Sequence, residues 1–535
     1  MNRAVAGVAG GAALIAGVTV AARIVGFVRW GVFSGAVGST ATGSAYTAAN
    51  ALPNVLFEVA VGGALASVAV PLLAAPLARH LTDDASRTAS ALMTWTLTVL
   101  LPLGAVLVLA SRPLAGLVVD AGVDSAHPGT RTLAAQLIAM FAAQVPLYGV
   151  GVVASGALQA AKRFFWPALA PLLSSLTVTG VYIWFAALAR GSQDSPGSLP
   201  GSAVGMLGWG TTAGVVMLTL PLLIPMRRAG IRLSVTYRFA PGLARRASGL
   251  VGAGIGGLLA QQVFVLTAVM VAGHFGATGA LPVFNYAQAV YLLPYAVLVM
   301  PVATAAFPHL AAASTTDRAG FGQLTAQTSR TVTVVGLAGA AGLIACAPAV
   351  QLVFEAIDPG MVIGLSATLT ALAVGLPGYG LLTHLQRVLL AAGRTGLAAA
   401  GTAAGWLVAA ALAVIAARSG AGGLDSLGWG SAAGMTIGGV ALLVAARRAL
   451  GPAALAGWAR TAGVGGVSAA IAALAGRLVT EWLAGIGTGA GFGAGALGSL
   501  GAGLIGVVVA VAVVALGAIA GDRSAIKVFR REVKS

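Results

Sequence analysis

Stretches of about 20 predominantly apolar residues follow one another from Ala4 to Ala520, with no polar stretch between them long enough to fold as a soluble domain. That is the length an α-helix needs to cross roughly 30 Å of hydrocarbon, where every backbone N–H and C=O has to be satisfied inside the segment. Only 8% of residues are charged, against about a quarter in soluble domains, so a water-soluble globule is excluded. Cutting the chain at its charged and Pro/Gly-rich breaks predicts an all-α polytopic membrane protein of about 14 transmembrane helices, the first centred near Val18 and the last near Val508. The first run continues past Val20 into Arg23 and Phe27, which reads as a retained helix and not a signal peptide. The loop between the last two helices is expected near residues 486–491.

The connecting loops predict an orientation. With the N-terminus inside, the inner loops and termini hold 22 Lys and Arg residues, and the outer loops only Arg112, Arg131, Arg190 and Arg418. The positive-inside rule then places both termini of this multi-pass protein in the cytoplasm. The net charge of +17 follows from this topology. The basic residues are scattered over short loops without interleaved aromatics, which suits lipid headgroups and not nucleic acid. The lone Cys346 has neither a second Cys nor a His nearby, so no disulfide, metal or redox site is expected, and no cofactor.

Two stretches recur. Leu207-Gly208-Trp209-Gly210, followed by Ala213-Gly214, reappears as Leu427-Gly428-Trp429-Gly430, followed by Ala433-Gly434. Pro146, Tyr148, Gly149 and Arg163 correspond to Pro377, Tyr379, Gly380 and Arg394 at a constant spacing of 231. Each pair is six helices apart, and an even number of crossings means that both copies enter the membrane from the same side. The expected organisation is two six-helix lobes related by a parallel pseudo-two-fold repeat, residues 1–228 and 229–449, followed by two helices and a basic tail in 450–535. Secondary transporters are often built this way, with the substrate site between the lobes near the midplane.

A charge at the centre of a membrane helix costs at least about 2.5 to 3.5 kcal/mol, so each one should face a polar cavity or a partner. Arg23 and Arg29 share the first segment with no acid to neutralise them. Six residues leave their side chains about 120° apart and about 9 Å along the axis, so they can line successive levels of one cavity. A guanidinium presents a permanently charged fork that matches phosphate oxygens. The alternative is that Arg29 snorkels to the outer interface while Arg23 pairs with Glu58. Glu58, the only acid in the first 82 residues, is then either this counter-ion or a proton or cation site. Arg387 is expected to snorkel toward cytoplasmic headgroups, and Arg477 and Glu481 to pair at a helix rim. Asn50, Asn54, Gln144, Gln261, Gln262, Asn285 and Gln288 offer an uncharged polar lining or interhelical hydrogen bonds. Pro53, Pro294 and Pro301 should kink the second and eighth segments. No Gly-rich phosphate loop with its Lys, HExxH pair or nucleophile elbow is present, and the five His are scattered, so a transporter is expected and not an enzyme.

Several of these stretches together resemble one family, the MurJ/MviN lipid II flippases of the wider multidrug/oligosaccharidyl-lipid/polysaccharide exporter fold. They are Ala22-Arg23-Ile24-Val25-Gly26-Phe27-Val28-Arg29, Ala51-Leu52-Pro53-Asn54 through Val70-Pro71-Leu72-Leu73, and Arg163-Phe164 with Pro167-Ala168 and Ala170-Pro171. The resemblance implies a flippase that moves a polyprenyl-diphosphate-linked peptidoglycan precursor between leaflets, two lobes around a cationic cavity, and a lipid-tail groove formed by the last two helices. It places the family's paired first-helix arginines on Arg23 and Arg29. It implies as partners the polyprenyl-diphosphate glycolipid, membrane lipids and peptidoglycan-synthesis proteins. Other family charges are replaced, by Trp30, Ser44, Phe57, Glu58, Gly62 and Gln288-Ala289. Two alternatives therefore stand beside lipid II transport: a cation-coupled exporter of amphiphiles using Glu58, and a transport-inactive membrane scaffold for envelope enzymes.

Overall fold

The computed structural model describes residues 2–59, 64–79, 81–239, 255–361, 364–487 and 496–521. It divides into two compact units, Met1–Leu258 and Leu259–Ser535, and contains helices and no strands among the described residues.

The first unit contains α1 (Asn2–Ala36), α2 (Ala41–Phe57), α3 (Ala64–Ala78), α4 (Thr82–Leu109), the short α5 (Ser111–Val118) and α6 (Ala121–Ala126), α7 (Thr130–Phe141), α8 (Gln144–Ala160), α9 (Phe165–Ala189), α10 (Gly201–Thr219) and α11 (Leu223–Arg228). Thr40 caps α2, its hydroxyl accepting from the Gly43 N–H at 3.1 Å. Leu72, Leu73, Leu92, Val153, Leu158, Leu222 and Ile231 form the core where α3, α4, α8 and α11 meet. Beyond α11, residues 231–239 run extended along α4, with Ile231 buried at the base.

The second unit contains α12 (Ile255–Phe275), α13 (Ala280–Pro294), α14 (Met300–Thr316), α15 (Arg318–Ile357), α16 (Leu365–Val374), α17 (Leu376–Ala391), α18 (Thr395–Arg418), α19 (Gly423–Leu450), α20 (Trp458–Gly487) and α21 (Ala496–Gly521). Where lipid removes the hydrophobic drive for helix association, small residues let backbones approach and make dispersion count. Ala341 and Ala345 of α15 pack against Ala469, Ala472 and Ala473 of α20 and against Ala510 and Val514 of α21. The last two helices thus pack on α15.

Among the described residues, 12 helices are long and apolar enough to cross a membrane, and one bent pair, α16 with α17, brings the number to 13. This pair bends by 43° at Gly375, ahead of Pro377. The second expected segment is represented by α2 and α3, on either side of residues 60–63, which lie outside the described residues. Proline acts as expected in the eighth segment, where α13 ends at Pro294, a π-helical turn spans Tyr295–Val299, and α14 starts just before Pro301. The expected loop at 486–491 falls after Gly487 for the most part, and the basic tail Arg523–Lys534 and the pair Arg245 and Arg246 likewise lie outside the described residues.

The two copies of Leu-Gly-Trp-Gly occupy α10 and α19 and make corresponding contacts within their own units. Trp209 and Trp429 face outward, 55% and 54% exposed. A Cβ on Gly208 would strike Met140 of α7, and one on Gly428 the side chain of Ala371 in α16. Gly210 faces Val181 of α9, and Gly430 faces Ala413 of α18. The repeated glycines sit where each helix touches the neighbours on either side of it.

Candidate functional site

The residues singled out in the first unit converge on α2. Tyr46, Asn50, Asn54 and Glu58 recur every fourth residue, so they form one slowly turning stripe along about 18 Å of helix. Tyr148 of α8 donates its hydroxyl to Asn54 Oδ1 at 2.9 Å and also lies 3.4 Å from Gln144 Oε1. Gln144 in turn donates to Thr212 of α10 at 3.3 Å. Higher on the stripe, the Tyr46 hydroxyl is 2.9 Å from that of Tyr182 and 3.2 Å from Thr211 Oγ1, and its ring packs edge-on against Phe141 and Tyr182. The Oδ1 atom of Asn50, between these two networks, is buried and accepts no hydrogen bond.

Arg29 reaches this stripe from α1. A Cβ on Gly26 would lie 4.0 Å from Ser175 Oγ of α9, which fixes the face by which α1 packs. Arg23 and Arg29, three residues to either side, flank that contact by about 60° each. Arg29 is half-buried, its guanidinium carbon 5.9 Å from the Trp30 ring centroid, and it stands one turn before Phe33, whose ring packs 5.5 Å from that of Tyr46. Arg23 is exposed. Among the described residues neither arginine forms an ion pair, and neither does the half-buried Glu58 at the end of α2, so no Arg23–Glu58 bridge is present. The geometry thus joins Asn54 to Tyr148, sets Tyr46, Asn50 and Glu58 along the same stripe of α2, and places Arg29 and Arg23 on either side of the α1–α9 seam. Gln288 lies half-buried on α13 of the second unit.

In the second unit the Nη1 of Arg387 donates to Thr304 Oγ1 of α14 at 3.3 Å. Arg477 pairs with Glu481 at 2.8 Å as expected of a helix rim. His384, one turn before Arg387, is fully buried, with Nε2 3.0 Å from Thr328 Oγ1. Nothing in the spacing of the five His marks that position. Tyr46 and Tyr182 are not singled out by the sequence and Tyr148 only as a repeat position, although the fourfold spacing of Tyr46, Asn50, Asn54 and Glu58 is a readable signal. No cluster of three metal-ligating side chains exists among the described residues.

One consequence concerns the hydroxyl network. Tyr46→Phe removes the hydroxyl contacts to Tyr182 and Thr211, so the first unit should lose about 1 kcal/mol. A lower melting temperature in detergent is the expected result; an unchanged melting temperature would show that the network contributes nothing.

A profile of the family described as "Lipid II flippase MurJ" matches residues 33–488. A protein of Rhizobium meliloti (strain 1021) called a probable lipid II flippase MurJ is 27% identical over 378 residues, covering 69% of this chain and 67% of the relative. One of Synechocystis with the same description is 30% identical over 249 residues, 45% of this chain and 44% of the relative. In structure, the chain is similar to a lipid II flippase MurJ in an inward closed conformation, with a TM-score of 0.70 at 18% identity over 94% of this chain and 98% of the other. It is also similar to an inward-facing multidrug resistance MATE transporter, with a TM-score of 0.63 at 16% identity, covering 81% and 94%.

Proposed function

The chain belongs to the lipid II flippase MurJ family, and from that premise we propose that it carries a polyprenyl-diphosphate-linked precursor, lipid II for peptidoglycan synthesis, across the bacterial inner membrane by alternating access. It acts as a transporter and not an enzyme, with both termini in the cytoplasm. The observation that carries this reading is Arg29, a half-buried guanidinium with no acid partner among the described residues, backed by the Tyr46, Asn54 and Tyr148 polar groups. A cation held in an apolar helix without a counter-ion is stabilised by an anion that visits it, and a diphosphate offers the planar oxygen pairs that a guanidinium fork matches. The amide and phenol groups beside it supply hydrogen bonds of the neutral kind that sugars accept and donate. Arg23, exposed on the same helix, serves as a second anion contact.

A second reading rests on Glu58, half-buried and without an ion partner among the described residues, as the coupling acid of a cation-driven exporter. Complementation separates the readings. Expression of the chain should restore growth to cells depleted of their own flippase, and Glu58→Gln should restore it equally. Failure of the wild-type chain, although it is present in the membrane, points to a scaffold. Rescue by wild type but not by Glu58→Gln points to the carboxylate as the working group.

A further inference from the structure

The extended residues 231–239 are held on α4 by a match of two periodicities. Ser86, Ser90 and Thr94 stand four apart, about 6.0 Å per step along a helix, while alternate residues of an extended chain advance about 6.6 Å. Each hydroxyl therefore meets every second amide: Ser86 Oγ accepts from Arg232 N at 3.1 Å, Ser90 Oγ from Ser234 N at 3.0 Å, and Thr94 Oγ1 from Thr236 N at 3.2 Å. Ser90 also donates to the Arg232 carbonyl at 3.3 Å. The upper end is fastened by Trp95, whose Nε1 donates to Tyr237 O at 3.2 Å and whose ring packs edge-on against Tyr237 with centroids 5.2 Å apart.

This arrangement leaves a groove of about 630 Å³ at the lower end, bordered by Thr82, Asp83, Arg87, Arg232, Ser234 and Thr236. Two features say what fits it. Neither the Arg87 nor the Arg232 guanidinium forms an ion pair or hydrogen bond among the described residues, even though Asp83 stands four residues before Arg87, the spacing at which a helix pair forms. The ten N–H donors of the two forks are thus unspent, beside several hydroxyls. Trp95 and Tyr237, 47% and 52% exposed, form the kind of aromatic pair that sits at the headgroup level of a bilayer. Arg87 is eight residues, about 12 Å, below Trp95 toward the start of α4, which places the groove just outside the hydrocarbon edge.

We propose that the groove between α4 and residues 231–239 binds the phosphate of an anionic phospholipid headgroup, with Arg87 and Arg232 as its two cationic arms. A phosphodiester suits the site because its oxygens take the guanidinium forks and the hydroxyls together, while its acyl chains lie against the exposed face of α4 that carries Val99 and Val106. Asp83 opposes binding, so a single guanidinium is roughly cancelled and both are needed. The site is independent of the flippase reading.

The test is native mass spectrometry of the full chain released from nanodiscs of phosphatidylcholine containing a minor fraction of phosphatidylglycerol. Wild type should retain phosphatidylglycerol preferentially, and the Arg87→Gln/Arg232→Gln variant should retain it roughly 30-fold less, while Arg447→Gln/Arg448→Gln matches wild type. Equal melting temperatures of wild type and the groove variant in pure phosphatidylcholine confirm that the variant is folded. Equal retention by the groove variant overturns the proposal. So does displacement of the lipid by millimolar inorganic phosphate with retention of the phosphate, which would assign the groove to the free anion instead.

Discussion

Arg29→Ala should reduce binding of the lipid-linked precursor to the purified protein by about 100-fold, whereas Arg23→Ala should reduce it by less than tenfold. The difference follows from where the two side chains stand. Arg29 is half-buried against Trp30, one turn before the Phe33 ring that packs on Tyr46, so its fork is partly ordered before the ligand arrives and is less screened by water. Charge-assisted hydrogen bonds contribute about 1.5 to 3 kcal/mol each in such surroundings, which gives the expected factor. Arg23 is exposed, so it loses more rotamer freedom on binding and gains less. Arg29→Lys keeps the charge but loses the planar fork, and an intermediate loss of about tenfold is expected. Titration of detergent-solubilised variants with the precursor checks all three. Arg29→Ala binding within threefold of wild type would remove the arginine from the substrate site and the proposal with it.

The same two arginines show how far the sequence could be read. Their spacing gave an angle of about 120°, and that angle holds in the helix, but it cannot say which neighbour occupies the space between them. Gly26 decides that, because α9 packs there and sends the arginines to opposite sides of one seam. The helices themselves were legible because the hydrocarbon sets their length, and the π-helical turn after Pro294 falls where proline lacks an N–H, whereas the bend ahead of Pro377 was not read from the sequence. The hydroxyl network around Tyr46 was not, since its partners Tyr182 and Thr211 lie 136 and 165 residues away and no local pattern joins them. The segment along α4 was hidden for another reason. Residues 231–239 look like a basic loop, and only the serine and threonine spacing on a distant helix reveals an extended conformation there. His384 and Arg387 point the same way: a residue held by one contact across helices leaves no periodic trace.

The repeat carries the second large effect, because equivalent glycines in its two copies meet different obstacles. A Cβ at Gly434 of α19 would lie 2.5 Å from the backbone nitrogen and 2.6 Å from the Cα of Ala409 in α18, so the helices themselves would have to separate. Four residues on, Gly438 stands with its Cβ position 2.8 Å from the Cα of Gly405, and the same separation would open that contact too. Gly434→Ala should therefore cost about 3 kcal/mol or more, as overpacking with no side chain free to yield does. At the matching Gly214 of α10 the first atom met is a methyl of Val178, which can move by rotation of its side chain, and Gly214→Ala should cost no more than about 1 kcal/mol. Gly463 in α20 meets nothing within 4 Å, so alanine there should be neutral or stabilise the helix by up to about 1 kcal/mol. Melting temperatures of the three variants in one detergent should fall in the order Gly463→Ala highest, Gly214→Ala next and Gly434→Ala lowest. Equal losses at Gly214 and Gly434 would mean that the close approach of α18 and α19 is not what requires glycine, and that the copies are interchangeable in packing as well as in sequence.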